Sequence, residues 1–232
     1  MIDFSSKEQL AKAIQFTNVT PNLTKEGLLK HLEICMKYDF DAAMIAPCYV
    51  AIARDVLKGT GIKVATTLNF PQANDTTAMK LAALKELAKE KPDQFDFPPN
   101  PGLLIGGEDK AYFDEIKAIA DLAHANGIVL KTMLEFGFLT TEQKARAAQL
   151  ACEAGVDWVK QSSGWGVGGC AATVEDVRIL KENIHAPCRV KVSGKVNTLE
   201  KMREMFEAGA ELVGTSSGPA ILEGLAGDIN AY

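Results

Sequence analysis

The 232-residue chain is 47% hydrophobic and 24% charged, with a formal net charge of −5 at pH 7, an ordinary globular composition long enough to bury a substantial core. The acidic balance argues against broad binding to nucleic acid or to an anionic membrane surface, which require a basic face, and leaves room for a local phosphate site. No apolar run approaches the roughly 18 residues of a spanning helix, and residues 1–8 lack the basic and apolar regions of a signal peptide, so a cytoplasmic protein is expected.

Helical periodicity and short β-rich runs alternate along the whole chain. A helix is predicted over 5–12, placed to plug the bottom of a barrel, and a first strand over 14–19. A helix over 24–38 with Thr24 as N-cap, a strand over 40–46, a helix over 49–57 stopped by Gly59 and Gly61, and a strand over 62–68 follow. Next come a helix over 75–90 capped by Asp75, a strand over 94–97, a helix over 108–125 and a strand over 128–134. The series closes with a helix over 141–154 ended by Gly155, a strand over 156–160, a helix over 173–183, a strand over 189–192, a helix over 199–208, a strand over 211–214 and a short helix after Ser217.

Strands alternating with helices imply a parallel sheet. Eight evenly spaced strands without a linker fit one (β/α)8 barrel domain over residues 1–232 better than a doubly wound sheet, since no GxGxxG follows the first strand.

The five cysteines, Cys35, Cys48, Cys152, Cys170 and Cys188, are odd in number and form no CxxC pair, so they read as reduced thiols. His31, His124 and His185 show no ligand spacing. Neither a catalytic metal nor another cofactor is expected.

In such a barrel the chemistry gathers at the C-terminal ends of the strands. Lys160 closes the sixth strand, Lys191 ends the run Cys188-Arg189-Val190-Lys191 on the seventh, and Asp96 lies on the fourth. Adjacent strands stand about 4.8 Å apart, so the two lysines can share a pocket. Two ammonium groups at roughly 6–7 Å repel by about 2–3 kcal/mol, which favours a neutral, nucleophilic amine, and Asp96 can relay protons through water. Lys131 and Glu135 share a face of the fifth strand and read either as further site residues or as a buried ion pair. Gly164, Ser193-Gly194 and Gly214-Thr215-Ser216-Ser217-Gly218 follow strands six to eight, where small residues and backbone N–H groups in barrels often hold phosphate.

These segments carry a resemblance. Leu68-Asn69-Phe70-Pro71, Phe95-Asp96, Leu130-Lys131 with Glu135, Val159-Lys160-Gln161-Ser162-Ser163-Gly164, Val190-Lys191-Val192-Ser193-Gly194 and Gly214-Thr215-Ser216-Ser217 resemble the 2-deoxyribose-5-phosphate aldolase family, class I aldolases on this barrel, along nearly the whole chain. The resemblance implies reversible cleavage of deoxyribose 5-phosphate to acetaldehyde and glyceraldehyde 3-phosphate, in deoxynucleoside breakdown. Lys160 would form the Schiff base, Lys191 would perturb its pKa, and Asp96 would work with Lys191 in proton transfer. Thr17, Gly164, Gly194, Lys195, Gly214, Ser216 and Ser217 would hold the substrate and its phosphate, and Tyr232 would reach the site from the C-terminus. A homodimer acting on small sugar phosphates and aldehydes is the expected assembly.

The chain departs from the family pattern in four places, one of them the proline-rich segment Pro98-Pro99-Asn100-Pro101-Gly102 after Asp96. Gly194-Lys195-Val196-Asn197 replaces a second glycine and an arginine, Gln15 stands where an aspartate that bonds substrate is usual, and Gln161-Ser162-Ser163-Gly164 replaces Thr-Ser-Thr-Gly and is followed by Trp165. A related Schiff-base lyase or transferase on another aldehyde, and a non-catalytic sugar-phosphate binder, are the competing readings.

Overall fold

The computed structural model describes residues 2–224. Eight strands, β1 (Ile14–Asn18), β2 (Ala42–Ile45), β3 (Lys63–Thr67), β4 (Gln94–Phe97), β5 (Val129–Met133), β6 (Trp158–Lys160), β7 (Arg189–Ser193) and β8 (Leu212–Thr215), pair in sequence order. Every pairing is parallel, and β8 returns to β1 to close the barrel. The helices are α1 (Lys7–Ala11), α2 (Lys25–Tyr38), α3 (Val50–Val56), α4 (Thr77–Lys89), α5 (Pro101–Ile105), α6 (Asp109–Ala125), α7 (Thr141–Glu153), α8 (Val174–Glu182), α9 (Leu199–Glu207) and α10 (Gly218–Glu223). A (β/α)8 barrel is therefore the fold, as expected.

Strand alternation divides the apolar residues into two layers. Ile14, Phe16, Ile45, Val64, Phe95, Phe97, Leu130, Val159, Val190, Val192 and Val213 face outward and join the large core beneath the helices. A small separate cluster of Val19, Ala42, Met44 and Ala65 lies on the other face of the first strands, with Phe70 and Trp165 packed against it. Inward positions on β4 to β7 instead bury Gln94, Asp96, Lys131, Lys160, Lys191 and Ser193, with Met133 among them, and that asymmetry builds the site.

Six of the ten helices given above begin on a hydroxyl cap: Ser6, Thr24, Thr76, Thr140, Thr173 and Thr198 each accept a backbone N–H from the first turn. One expectation is corrected here. Thr76, not Asp75, caps α4, because the Asp75 carboxylate instead accepts from the Asn69 side-chain amide. Helix α1 buries Leu10 and Ala11 in the large core and packs on α10. The proline-rich segment after β4 contributes α5, which opens on Asn100 as N-cap with Pro101 in the first turn.

Candidate active site

Four inward side chains from four successive strands meet at the mouth. Asp96 and Lys131 are register partners on β4 and β5, and Lys160 and Lys191 are register partners on β6 and β7. All four are buried: Asp96 and Lys131 at 0% exposure, Lys191 at 1% and Lys160 at 5%. Lys160 Nζ donates to Asp96 Oδ2 at 3.0 Å and Lys191 Nζ donates to the same oxygen at 2.8 Å. Lys131 Nζ stands 3.6 Å from Asp96 Oδ1. Among the described residues neither of those last two atoms has a hydrogen-bond partner.

One carboxylate thus faces three amines. Burial pushes the Asp96 carboxyl up, but the attraction of Lys191, Lys160 and Lys131 prevails and holds it well below the usual carboxylate range. Burial likewise lowers Lys191 well below an ordinary lysine, with Lys160 and Lys131 adding repulsion against the pull of Asp96. Lys131 is lowered mainly by burial, against the same pull.

Lys160, Lys191 and Asp96 line one cavity with Thr17, Ser163, Ser193 and Gly214, while Val19, Met44, Phe70, Met133 and Trp165 form its apolar side. The Trp165 ring meets Phe70 edge-on at 6.0 Å. Phe70 lies in a segment of the family resemblance and Trp165 follows a departure from it, whereas Val19, Met44 and Met133 carried no functional signal in the sequence, since isolated Val and Met residues on strands read as core.

The Lys131–Glu135 ion pair does not form. Glu135 follows β5 in the left-handed region (φ 49), which turns its carboxylate away from Lys131 and toward the loop after β6. There it accepts from Ser162 Oγ at 3.1 Å and from the Ser163 N–H at 3.0 Å. Burial raises the Glu135 pKa. Ser162 Oγ in turn accepts the N–H groups of Gly164 and Cys170, both at 3.0 Å, closing the loop that carries Trp165.

The expected phosphate residues lie after three adjacent strands. Gly194 is left-handed (φ 91), and a Cβ there would sit 2.3 Å from the Cys170 carbonyl oxygen, so only glycine fits. Lys195 follows, also left-handed (φ 59), with its carbonyl accepting from Lys201 Nζ at 3.1 Å. Gly214 faces inward, where a Cβ would come within 3.2 Å of Lys191 Cε, so it makes room for the lysine. Ser216 Oγ is buried without a hydrogen-bond partner among the described residues, and the Ser217 N–H is taken by Thr215 Oγ1 at 3.0 Å. Gly164 is left-handed (φ 81) at the start of the Trp165 loop. Tyr232 lies outside the described residues.

A closed (β/α)8 barrel with paired lysines and a carboxylate at its mouth has the architecture of a lysine-dependent aldolase. A family model described as DeoC/LacD family aldolase matches residues 34–224. A deoxyribose-phosphate aldolase of Thermococcus kodakarensis is 37% identical over 94% of this chain and 98% of its own, and one of a Geobacillus species is 36% identical over 97% and 99%. The tetrameric deoxyribose phosphate aldolase of Aeropyrum pernix shares the fold with a TM-score of 0.84 at 24% identity, covering 94% of this chain and 92% of that one. The chain belongs to the DeoC/LacD family of aldolases.

Proposed function

We propose that the protein is a class I deoxyribose-phosphate aldolase, acting on 2-deoxyribose 5-phosphate, acetaldehyde and glyceraldehyde 3-phosphate, with residues 1–232 as one catalytic domain working in the cytoplasm as a homodimer. The observation that carries the reading is Lys160: its Nζ lies on the cavity wall and shares a carboxylate oxygen with Lys191. Lys160 attacks the aldehyde carbon of acetaldehyde, the carbinolamine loses water to give an imine, and loss of a C2 proton gives an enamine. The enamine carbon then adds to the aldehyde carbon of glyceraldehyde 3-phosphate, whose oxygen takes up a proton. Hydrolysis of the new imine returns the Lys160 amine and releases the product.

Asp96 and Lys191 serve the C2 proton through water. Burial makes the Lys191 amine readier to give up and take back a proton, and the ionised Asp96 beside it steadies the charged form. Lys131 stands by as a third charge on the same carboxylate. Thr17 lines the cavity beside them, and the buried, unpartnered Ser216 hydroxyl supports a phosphate seat formed with Gly164, Gly194, Lys195 and Ser217.

Borohydride reduction in the presence of acetaldehyde tests the reading. The expected result is a two-carbon adduct on the peptide that contains Lys160, together with cleavage of deoxyribose 5-phosphate in preference to unphosphorylated deoxyribose. Binding without an adduct would make the protein a binder, and faster cleavage of the unphosphorylated sugar would move the substrate assignment.

A further inference from the structure

Lys191 makes a second contact that the aldol chemistry does not call for. Its Nζ donates to Gln15 Oε1 at 2.7 Å as well as to Asp96. Gln15 is fully buried on β1, at 0% exposure, and it is Thr17, two residues on, that reaches the cavity wall. Gln15 therefore lies beneath the reacting atoms and serves the lysine, at the position where the family pattern has an aspartate that bonds substrate.

An amide can turn either its oxygen or its nitrogen toward an amine, and only the oxygen suits an ammonium. Here the hydrogen-bond network assigns the orientation from the far side. Gln15 Nε2 donates to Asp41 Oδ2 at 3.0 Å and to Gln94 Oε1 at 2.8 Å, which uses both amide hydrogens. Asp41 is itself anchored by Lys63 Nζ at 2.5 Å. Flipping the amide would set two oxygens against each other at Asp41 and again at Gln94.

We propose that Gln15 and Asp41 are a positioning pair for Lys191: Asp41 orients the Gln15 amide, and the amide holds Lys191 Nζ on Asp96 with a neutral acceptor that adds no second negative charge. The inference rests on the proton-transfer role given to Lys191 above. The charged groups facing Lys191 are Asp96 from β4, Lys131 from β5 and Lys160 from β6, while β1 presents the Gln15 amide and β8 presents Gly214. The charge of Asp41 stands one residue further out, shared with Lys63. Were a carboxylate at position 15 instead, the ammonium form of Lys191 would be favoured and the lysine would give up its proton less readily at neutral pH.

The paired exchange Gln15→Glu with Asp41→Asn moves that carboxylate inward while conserving net charge and leaving an amide to donate to it. Titration by NMR of protein labelled at lysine Cε, with the Lys191 resonance assigned through Lys191→Met, reads the effect without any substrate. The expected result is a rise in the Lys191 pKa of about one unit or more. The rising limb of the kcat profile should move to higher pH by a similar amount, with KM changed by less than about twofold. A purely structural role would lower the melting temperature and leave both titrations in place.

Gln15→Met keeps the volume and removes the acceptor, and is expected to lower the Lys191 pKa. An unmoved Lys191 resonance in a folded exchange variant overturns the inference, and if that variant does not fold, an unmoved resonance in Gln15→Met does so. Failure of the wild-type protein to form the borohydride adduct would overturn the aldolase reading instead, and the NMR titration would still be readable.

Discussion

Two buried sets of lysine and carboxylate lie among the described residues, and they are built to opposite rules. Between α4 and α6, Lys80 and Glu115 are 0% and 2% exposed and pair at 2.7 Å. Lys80 Nζ also donates to the Ala73 carbonyl at 2.6 Å, while Glu115 accepts from the Asn100 N–H at 2.8 Å and from Thr77 Oγ1 at 3.1 Å. One cation meets one anion and each has further partners, as a buried pair needs if it is to offset its desolvation. At the barrel mouth three amines share Asp96, and both Lys131 Nζ and Asp96 Oδ1 lack a hydrogen bond among the described residues. The balanced pair ties two rim loops to two helices; the unbalanced cluster keeps amines ready to exchange protons.

Removing members of each set tests the contrast. Lys160→Ala should reduce aldol turnover on the order of 10⁴-fold and abolish the borohydride adduct, while chemical denaturation shows stability changed by no more than about 1 kcal/mol, because a surplus charge has gone. Lys80→Met should instead leave Glu115 buried without its cation and cost about 3–5 kcal/mol in the same denaturation experiment. A loss as small as that of Lys160→Ala would erase the distinction between the two sets.

His31 shows what burial does to a base with no carboxylate beside it. The ring is 4% exposed, stacks on Phe16 with centroids 4.4 Å apart and donates to the Phe16 carbonyl at 3.1 Å. Burial lowers its pKa from 6.5 to about 4, against the small opposing effect of that hydrogen bond. The unfolded chain takes up this proton near pH 6.5 and the folded protein refuses it until about pH 4, so stability falls as pH drops through that window, by about 3 kcal/mol in all. Denaturation series at several pH values should show this slope in the wild type and a flatter one in His31→Leu. The Asp96 carboxyl is shifted in the same sense, and its contribution is lost only as pH falls below the ordinary carboxylate range, outside the window. The smallest effect is expected at Lys131→Met, which removes an amine without a hydrogen bond and should change stability by less than about 1 kcal/mol, in the stabilising direction if at all.

Much of this was legible along the chain. The alternation of strand and helix periods marks all eight strands, and the strand-end positions of Lys160, Lys191 and Asp96 already place them on one rim. Local competition was harder to read. Asp75 and Thr76 are both good caps, and the choice fell to Thr76 because Asn69, six residues upstream of Asp75, engages the aspartate. Spacing suggested that Lys131 and Glu135 share a face, yet a single left-handed residue at position 135 ends the alternation and delivers the carboxylate to Ser162 and Ser163.

The sequence by itself determined the barrel and the strand ends that bear its chemistry, because hydrophobic period and strand-end residue type are local properties. Only the tertiary structure decided how the charges are shared. Gln15 and Lys191 are 176 positions apart and Asp96 and Lys191 are 95, and their contact depends on the closure and stagger of the barrel, which bring inward side chains of non-neighbouring strands onto one atom. That convergence set three amines on one carboxylate, aimed the Gln15 amide at one of them, and gathered Val19, Met44, Phe70, Met133 and Trp165 into the apolar side of the cavity.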